Sequence, residues 1–380
     1  MKAICFLVGV IALLATTQAD ASVCAAPSQA TSVAVPGHPF SAIPAADNCW
    51  MFVSIVDGKG HGSVAVLRNK DGVFQLDHTV ALKHPAFGAS LSHDGRTLVV
   101  AGDDNTSLLD VTRLEQGDSN AVLGTLSDGS KAGAVYATIS PGDKMLFVSD
   151  EYAKRISVFD FAKARNGRFD DSALIGRIPT AAFPVGLAFS PDGHWLYATS
   201  QRGPASMQSV CKPELPQGQM HPEGLLLRID VAKASSDPAH AVVDALPAGC
   251  NPVRVAVSPS GKDLWVTARG GNALISINAD DWVNGSKQAH VASLPIGPSP
   301  VGIAARQDGK QVWVALSNRF GSDKTGQLVG ISDPDDAAQK KLVTLPAAGF
   351  PRELTFLSDG RTLVATLYDA QQVELVPTPN

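Results

Sequence analysis

The feature that most restricts how this chain can fold is a phrase it repeats. "FPVGLAFSPDGHWLYATSQ" from Phe183, "NPVRVAVSPSGKDLWVTARGGNALISIN" from Asn251, "SPVGIAARQDGKQVWVALSN" from Ser299 and "FPRELTFLSDGRTLVATLYD" from Phe350 share one frame. Aligned on the turn, the frame extends to seven units, with Asn48, Gly95, Asp143, Gly193, Gly261, Gly309 and Gly360 in the turn column. Three positions later stand Met51, Leu98, Leu146, Leu196, Leu264, Val312 and Leu363. An aromatic or Val follows, then Val or Ala, and then always Ser, Ala or Thr. The units recur about every fifty residues, with one longer gap between Gly193 and Gly261.

A period of this length, with short apolar runs and a Ser-Pro-Asp-Gly-type turn in each unit, predicts an all-β, seven-bladed β-propeller. One four-stranded blade cannot hide both of its faces, so each face packs on a neighbouring blade and the ring leaves only short edges. Strands covered on both faces read as continuous apolar runs, as in "LWVTA" and "LFVSD". Within the unit that begins at Asn251, strand A is expected at Val253–Ser258, B at Asp263–Ala268, C at Ala273–Asn278 and D at Ala289–Leu294. The last unit supplies three strands and ends. Residues 31–35, in "ATSVAVPGHP", resemble the "VASLPIGPSP" that closes an earlier unit and are expected to complete blade seven.

The chain opens "MKAICFLVGVIALLATTQADA": a lysine, an apolar run and an A-x-A-like site, the layout of a secretory signal peptide over residues 1–21. One propeller domain is expected over 22–380, with an insertion at about 202–224 in blade four, and the protein is expected in the periplasm or outside the cell. Export sends Cys24, Cys49, Cys211 and Cys250 to an oxidising compartment. In a propeller, A–B and C–D turns share one face, and B–C and D–A loops share the other. Cys24 and Cys49 fall on the first face, Cys211 and Cys250 on the second, so the topology predicts those two pairings. A net charge of −5 with no basic tail gives nucleic-acid binding no support, and no further stretch could span a membrane. A monomer is expected.

The "SPDGHWLYATS" frame, with blade segments such as "ISVFDFAKARNGRF" and "GSVAVLRNKDGVFQL", resembles the YVTN-type seven-bladed propellers, especially the lactonase-like branch related to 6-phosphogluconolactonase. The resemblance covers essentially the whole chain after the leader. It implies a propeller that either binds ligands or opens a sugar-acid or aromatic lactone. It matches "FPRELTF" to a family element in which Arg352 is followed by an acidic residue, here Glu353.

No G-x-S-x-G elbow, H-E-x-x-H, Walker loop or EF-hand spacing occurs, so neither a metal nor a cofactor is expected. Propeller ligands meet the D–A and B–C loops around the central channel. The D–A loops and strand starts offer His38, His84, Lys131, Arg254, Arg352 and Glu353; the B–C loops offer Glu151, Tyr152, Arg202, Arg269, Arg319 and Tyr368. Cations gathered at a concave mouth attract a carboxylate or phosphate. The expected function is therefore binding, of a small anionic molecule or of another exported protein. In the alternative, lactone hydrolysis, His38, His84 or Glu353 would be the base, and Arg254 or Arg352 would stabilise the developing oxyanion. Arg254 and Arg352 read as one repeat position, occupied by glycine in the blades of Gly186 and Gly302, an alternation that argues against a packing role.

Overall fold

The computed structural model describes residues 23–214, 218–285, 289–322, 325–334 and 341–379. Residues 1–21, read from sequence as a leader, lie outside them. Seven four-stranded antiparallel sheets form the blades of a propeller. They start at His38, Ala89, Ala134, Ala182, Pro252, Pro300 and Pro351, in chain order from blade one to blade seven. Blade seven takes three strands from the C-terminal end and its outermost, Thr31–Ala34, from the other: Thr31 pairs with Leu375 and Ala34 with Gln372. In blade five the four strands are Pro252–Val257, Asp263–Ala268, Ala273–Asn278 and His290–Pro295, within a residue or so of the sequence expectation.

Two repeat columns acquire physical causes. All seven turn residues have left-handed backbone, with φ from 56° at Asn48 and Asp143 to 77° at Gly261. Glycine adopts this region freely and Asn or Asp tolerates it, which explains the column's restricted alphabet. The Ser/Ala/Thr column joins blade to blade. Ser54 donates to the carbonyl of Phe87, Ser149 to Val185, Thr199 to Val253, Thr267 to Val301 and Thr366 to Phe40, over 2.6 to 3.2 Å. Each hydroxyl satisfies a carbonyl of the next inner strand that the ladder leaves free.

The hydrophobic core is divided among the interfaces. Met51 and Val53 of blade one pack with Val364 and Leu375 of blade seven, while Phe52 and Val64 pack with Leu98 and Val100 of blade two. Short helices follow four third strands, each begun by a side-chain cap from Asp110, Asp160, Asp230 or Asn278.

Disulfides join Cys24 to Cys49 and Cys211 to Cys250. The first ties the segment before the closing strand to blade one. The second ties the excursion between the second and third strands of blade four, which carries a small ribbon of Ser209–Cys211 and His221–Pro222, to the start of blade five. Among the described residues no helix is long and apolar enough to cross a membrane.

Candidate functional site

The inner strands converge on an axial cavity of about 300 Å3, open on the face of the B–C and D–A loops. Its floor is set by one register position. The residue after the strand's first proline or its equivalent is Val135, Val185, Val253 and Val301 in blades three to six, and Arg352 in blade seven. Three of the valines and Phe350 form one buried cluster. A guanidinium thus replaces one member of an apolar collar.

Arg254 occupies the next register position, one residue further along the strand. Pro252 pairs with Ala268 as Pro351 pairs with Leu367, and Val255 with Val266 as Leu354 with Ala365, so Arg254 corresponds to Glu353 rather than to Arg352. The alternation with glycine in this column does come from packing. A Cβ on Gly186 would stand 2.6 Å from the Val253 carbonyl oxygen, and one on Gly302 2.6 Å from that of Arg352. Neighbouring inner strands approach too closely there for side chains in both, so glycine faces Arg254 across one interface and Glu353 across the other.

The two arginines meet opposite circumstances. Arg254 is 3% exposed and holds Glu353, itself 8% exposed, with Nε–Oε2 at 2.9 Å and Nη2–Oε2 at 2.8 Å. Its guanidinium lies 4.6 Å over the Tyr136 ring. Burial opposes the charge of Arg254, but the Glu353 carboxylate more than offsets it and holds the pKa above the usual arginine value. Arg352 has no carboxylate partner among the described residues, and its buried Nε has no hydrogen-bond acceptor. Aromatic faces surround it: the Phe40 centroid at 3.7 Å, Tyr368 at 5.4 Å and Phe350 at 5.5 Å. Burial and then the like charge of Arg254 pull its pKa down to about 9, against the opposing pull of Glu353.

The opposite rim is a closed network. Gln201 donates to Glu151 at 2.9 Å, Arg269 donates to Gln201 at 2.9 Å, and Arg269 grips Glu214 through two contacts of 2.6 Å. Burial pushes the Glu151 carboxyl above the usual range, against the pull of the Gln201 amide. Arg319 stands exposed at the mouth, 5.4 Å from the Phe350 ring, and has no carboxylate partner among the described residues.

Of the residues expected from sequence, Arg254, Arg352, Glu353, Glu151, Arg269, Arg319 and the exposed Tyr152 come together around this cavity. His38 stacks on Tyr368 at 4.7 Å and bonds its carbonyl at 2.9 Å, behind the aromatic wall. His84 lies beside Asn105 near Gly102, and Lys131 is exposed on the loop before blade three; neither lines the cavity. Arg202 stacks on Phe183 beside a different cavity. Sequence reasoning missed Tyr136, Gln201, Phe40, Phe350 and Glu214. The column that carries Arg254 also carries Tyr136, so a register-correct alignment would have found it; the others carry no repeat signature. Among the described residues no group of three His, Cys, Asp or Glu is placed to hold a metal.

The fold resembles that of solved propellers. Hydrazine synthase from Kuenenia stuttgartiensis superposes with a TM-score of 0.67 at 19% identity, over 90% of this chain and 96% of that one. A chain of a mitotic checkpoint complex superposes with a TM-score of 0.67 at 16% identity, over 100% of this chain and 99% of that one. These likenesses show the fold. No family model and no curated protein matches the chain.

Proposed function

We propose that this protein is an exported binding propeller whose axial cavity takes a small organic anion. The observation that carries the reading is Arg352, a cation set into an apolar collar with no carboxylate in ion-pair contact among the described residues, beside a second cation, Arg319, likewise without one. A half-buried charge whose Nε lacks an acceptor is costly, and a bound carboxylate or phosphate would relieve that cost through charge-assisted hydrogen bonds. The volume of about 300 Å3 suits a ligand at the small end of the range for such sites. Export is supported by the leader-like residues 1–21 and by two disulfides, which persist in oxidising compartments.

The lactonase-like reading that the YVTN resemblance implies retains one supporting observation. Glu151 shares the cavity with Arg352 and has a raised pKa, the condition of a carboxylate able to take a proton from water. Of the three bases proposed from sequence, His38 and His84 do not line the cavity and Glu353 is held by Arg254. Calorimetric titration with gluconate, citrate and phosphate, beside base-consumption assays on glucono-δ-lactone, separates the readings. Binding expects saturable heat without turnover, and the heat is lost in Arg352→Leu. Turnover that Glu151→Gln abolishes would replace binding by hydrolysis, and neither heat nor turnover would overturn both.

A further inference from the structure

A second cavity, of about 790 Å3, lies off the axis where blades three and four meet, partly covered by the blade-four excursion. Leu225 and Leu227 give it an apolar wall. Among the described residues its ionised groups have one sign: Lys154 and Arg202 line it, and no aspartate or glutamate does. The cavity on the other side of the excursion, about 660 Å3, has the reverse character, with Glu223 and, among the described residues, no lysine or arginine.

Two further observations converge on the first cavity. Phe183, in its wall, has φ 60°; Gly133, Asn251 and Ser299 hold the same left-handed place in blades three, five and six, with φ from 50° to 68°, and Phe183 is the bulky residue of the four. A bulky aromatic in left-handed backbone is an outlier, and such strain collects where a ligand or partner is met. Its ring lies 5.4 Å beneath the Arg202 guanidinium, so an apolar plate and a cation are presented together. His221, 4% exposed and in the same wall, donates from Nδ1 to the Pro222 carbonyl at 2.8 Å and leaves Nε2 without a partner.

We propose that this cavity is a second binding site, for an amphipathic carboxylate. The apolar body lies against Leu225, Leu227 and the Phe183 ring, and the anionic head meets Arg202 and Lys154. A volume of this size, mostly apolar with a few polar groups, is the usual form of a small-molecule site. The Cys211–Cys250 bond fixes the covering excursion to blade five and so holds the site open in one shape.

Titration of the full chain with naphthalene-2-carboxylate and with dodecanoate tests the assignment. At least one should give saturable one-to-one heat, and Arg202→Gln should weaken it about tenfold, the loss of one charge-assisted contact. Phe183→Asn should melt no lower than the parent yet bind more weakly, which a merely structural phenylalanine would not do. Arg352→Leu, in the axial cavity, should leave this binding unchanged. No saturable heat with either probe, or binding that Arg202→Gln spares in a variant with a normal melting curve, overturns the proposal. So does binding that Arg352→Leu abolishes.

Discussion

The blade-five and blade-seven sides of the axial cavity each present an arginine, buried on the first side and half-buried on the second, and they differ in what balances it. On the blade-five side Arg254 is fully committed: its carboxylate partner is on another blade, its face is covered by Tyr136, and nothing remains to offer a ligand. On the blade-seven side Arg352 has aromatic walls and no counter-ion among the described residues. Aromatic faces attract a cation but do not satisfy its N–H groups. A charge that packing explains and a charge that packing leaves unexplained thus stand side by side, and only the second argues for binding.

The largest effect that would sharpen this contrast is expected from Glu353→Ala. It strands Arg254 in the interior and should cost about 3–5 kcal/mol, read by denaturant unfolding. Adding Arg254→Met should recover most of that loss, because well-packed apolar replacements of a buried ion pair are often neutral. Failure of the second change to rescue would mean that the pair does more than neutralise itself.

A smaller effect is expected from a second buried acid. Asp128, fully buried, accepts from Thr106 at 2.8 Å, and its other oxygen has no partner. Burial first, and then the charge of Asp150, raise its pKa well above the usual value. The native state therefore binds the Asp128 proton more tightly than the unfolded chain does, so its contribution to stability is full below the unfolded value and is lost as pH climbs through the raised pKa. Asp128→Asn should remove that loss and stabilise the protein by about 1 kcal/mol at neutral pH, with little change in acid. Equal effects at both pH values would contradict the assignment.

The smallest shift is expected from Arg352→Leu. Without ligand it should leave the melting temperature unchanged or raise it by a few degrees, since it removes an unbalanced charge from an apolar collar. A large loss of stability would make Arg352 structural, like Arg254, and erase the contrast.

Much of the fold was legible in the sequence because its causes are local and repeat. Left-handed turns restrict their residues to Gly, Asn and Asp, and doubly covered strands read as apolar runs. Strand closure and both cysteine pairings followed from topology. The short helices did not, because five or six residues after a capping Asp or Asn leave too little periodicity to detect. The site was legible only in part. Arg254 and Arg352 each follow an early proline, and a bulge in the inner strands conceals that they differ by one register position. The Glu353 partner of Arg254 is 99 residues away, and no local pattern announces it. The glycine alternation carried real information, but about how closely the strands approach.

The account rests on the claim that Arg352 is unbalanced because an anion completes it. The most direct measurement is the melting temperature of the parent chain and of Arg352→Leu across a citrate and a gluconate titration. Ligand that binds only the native state raises the melting temperature with concentration. The account predicts that the variant melts as high as the parent or higher without anion, and that the parent overtakes it as one of these anions approaches saturation. Two curves that stay parallel throughout both titrations would contradict it.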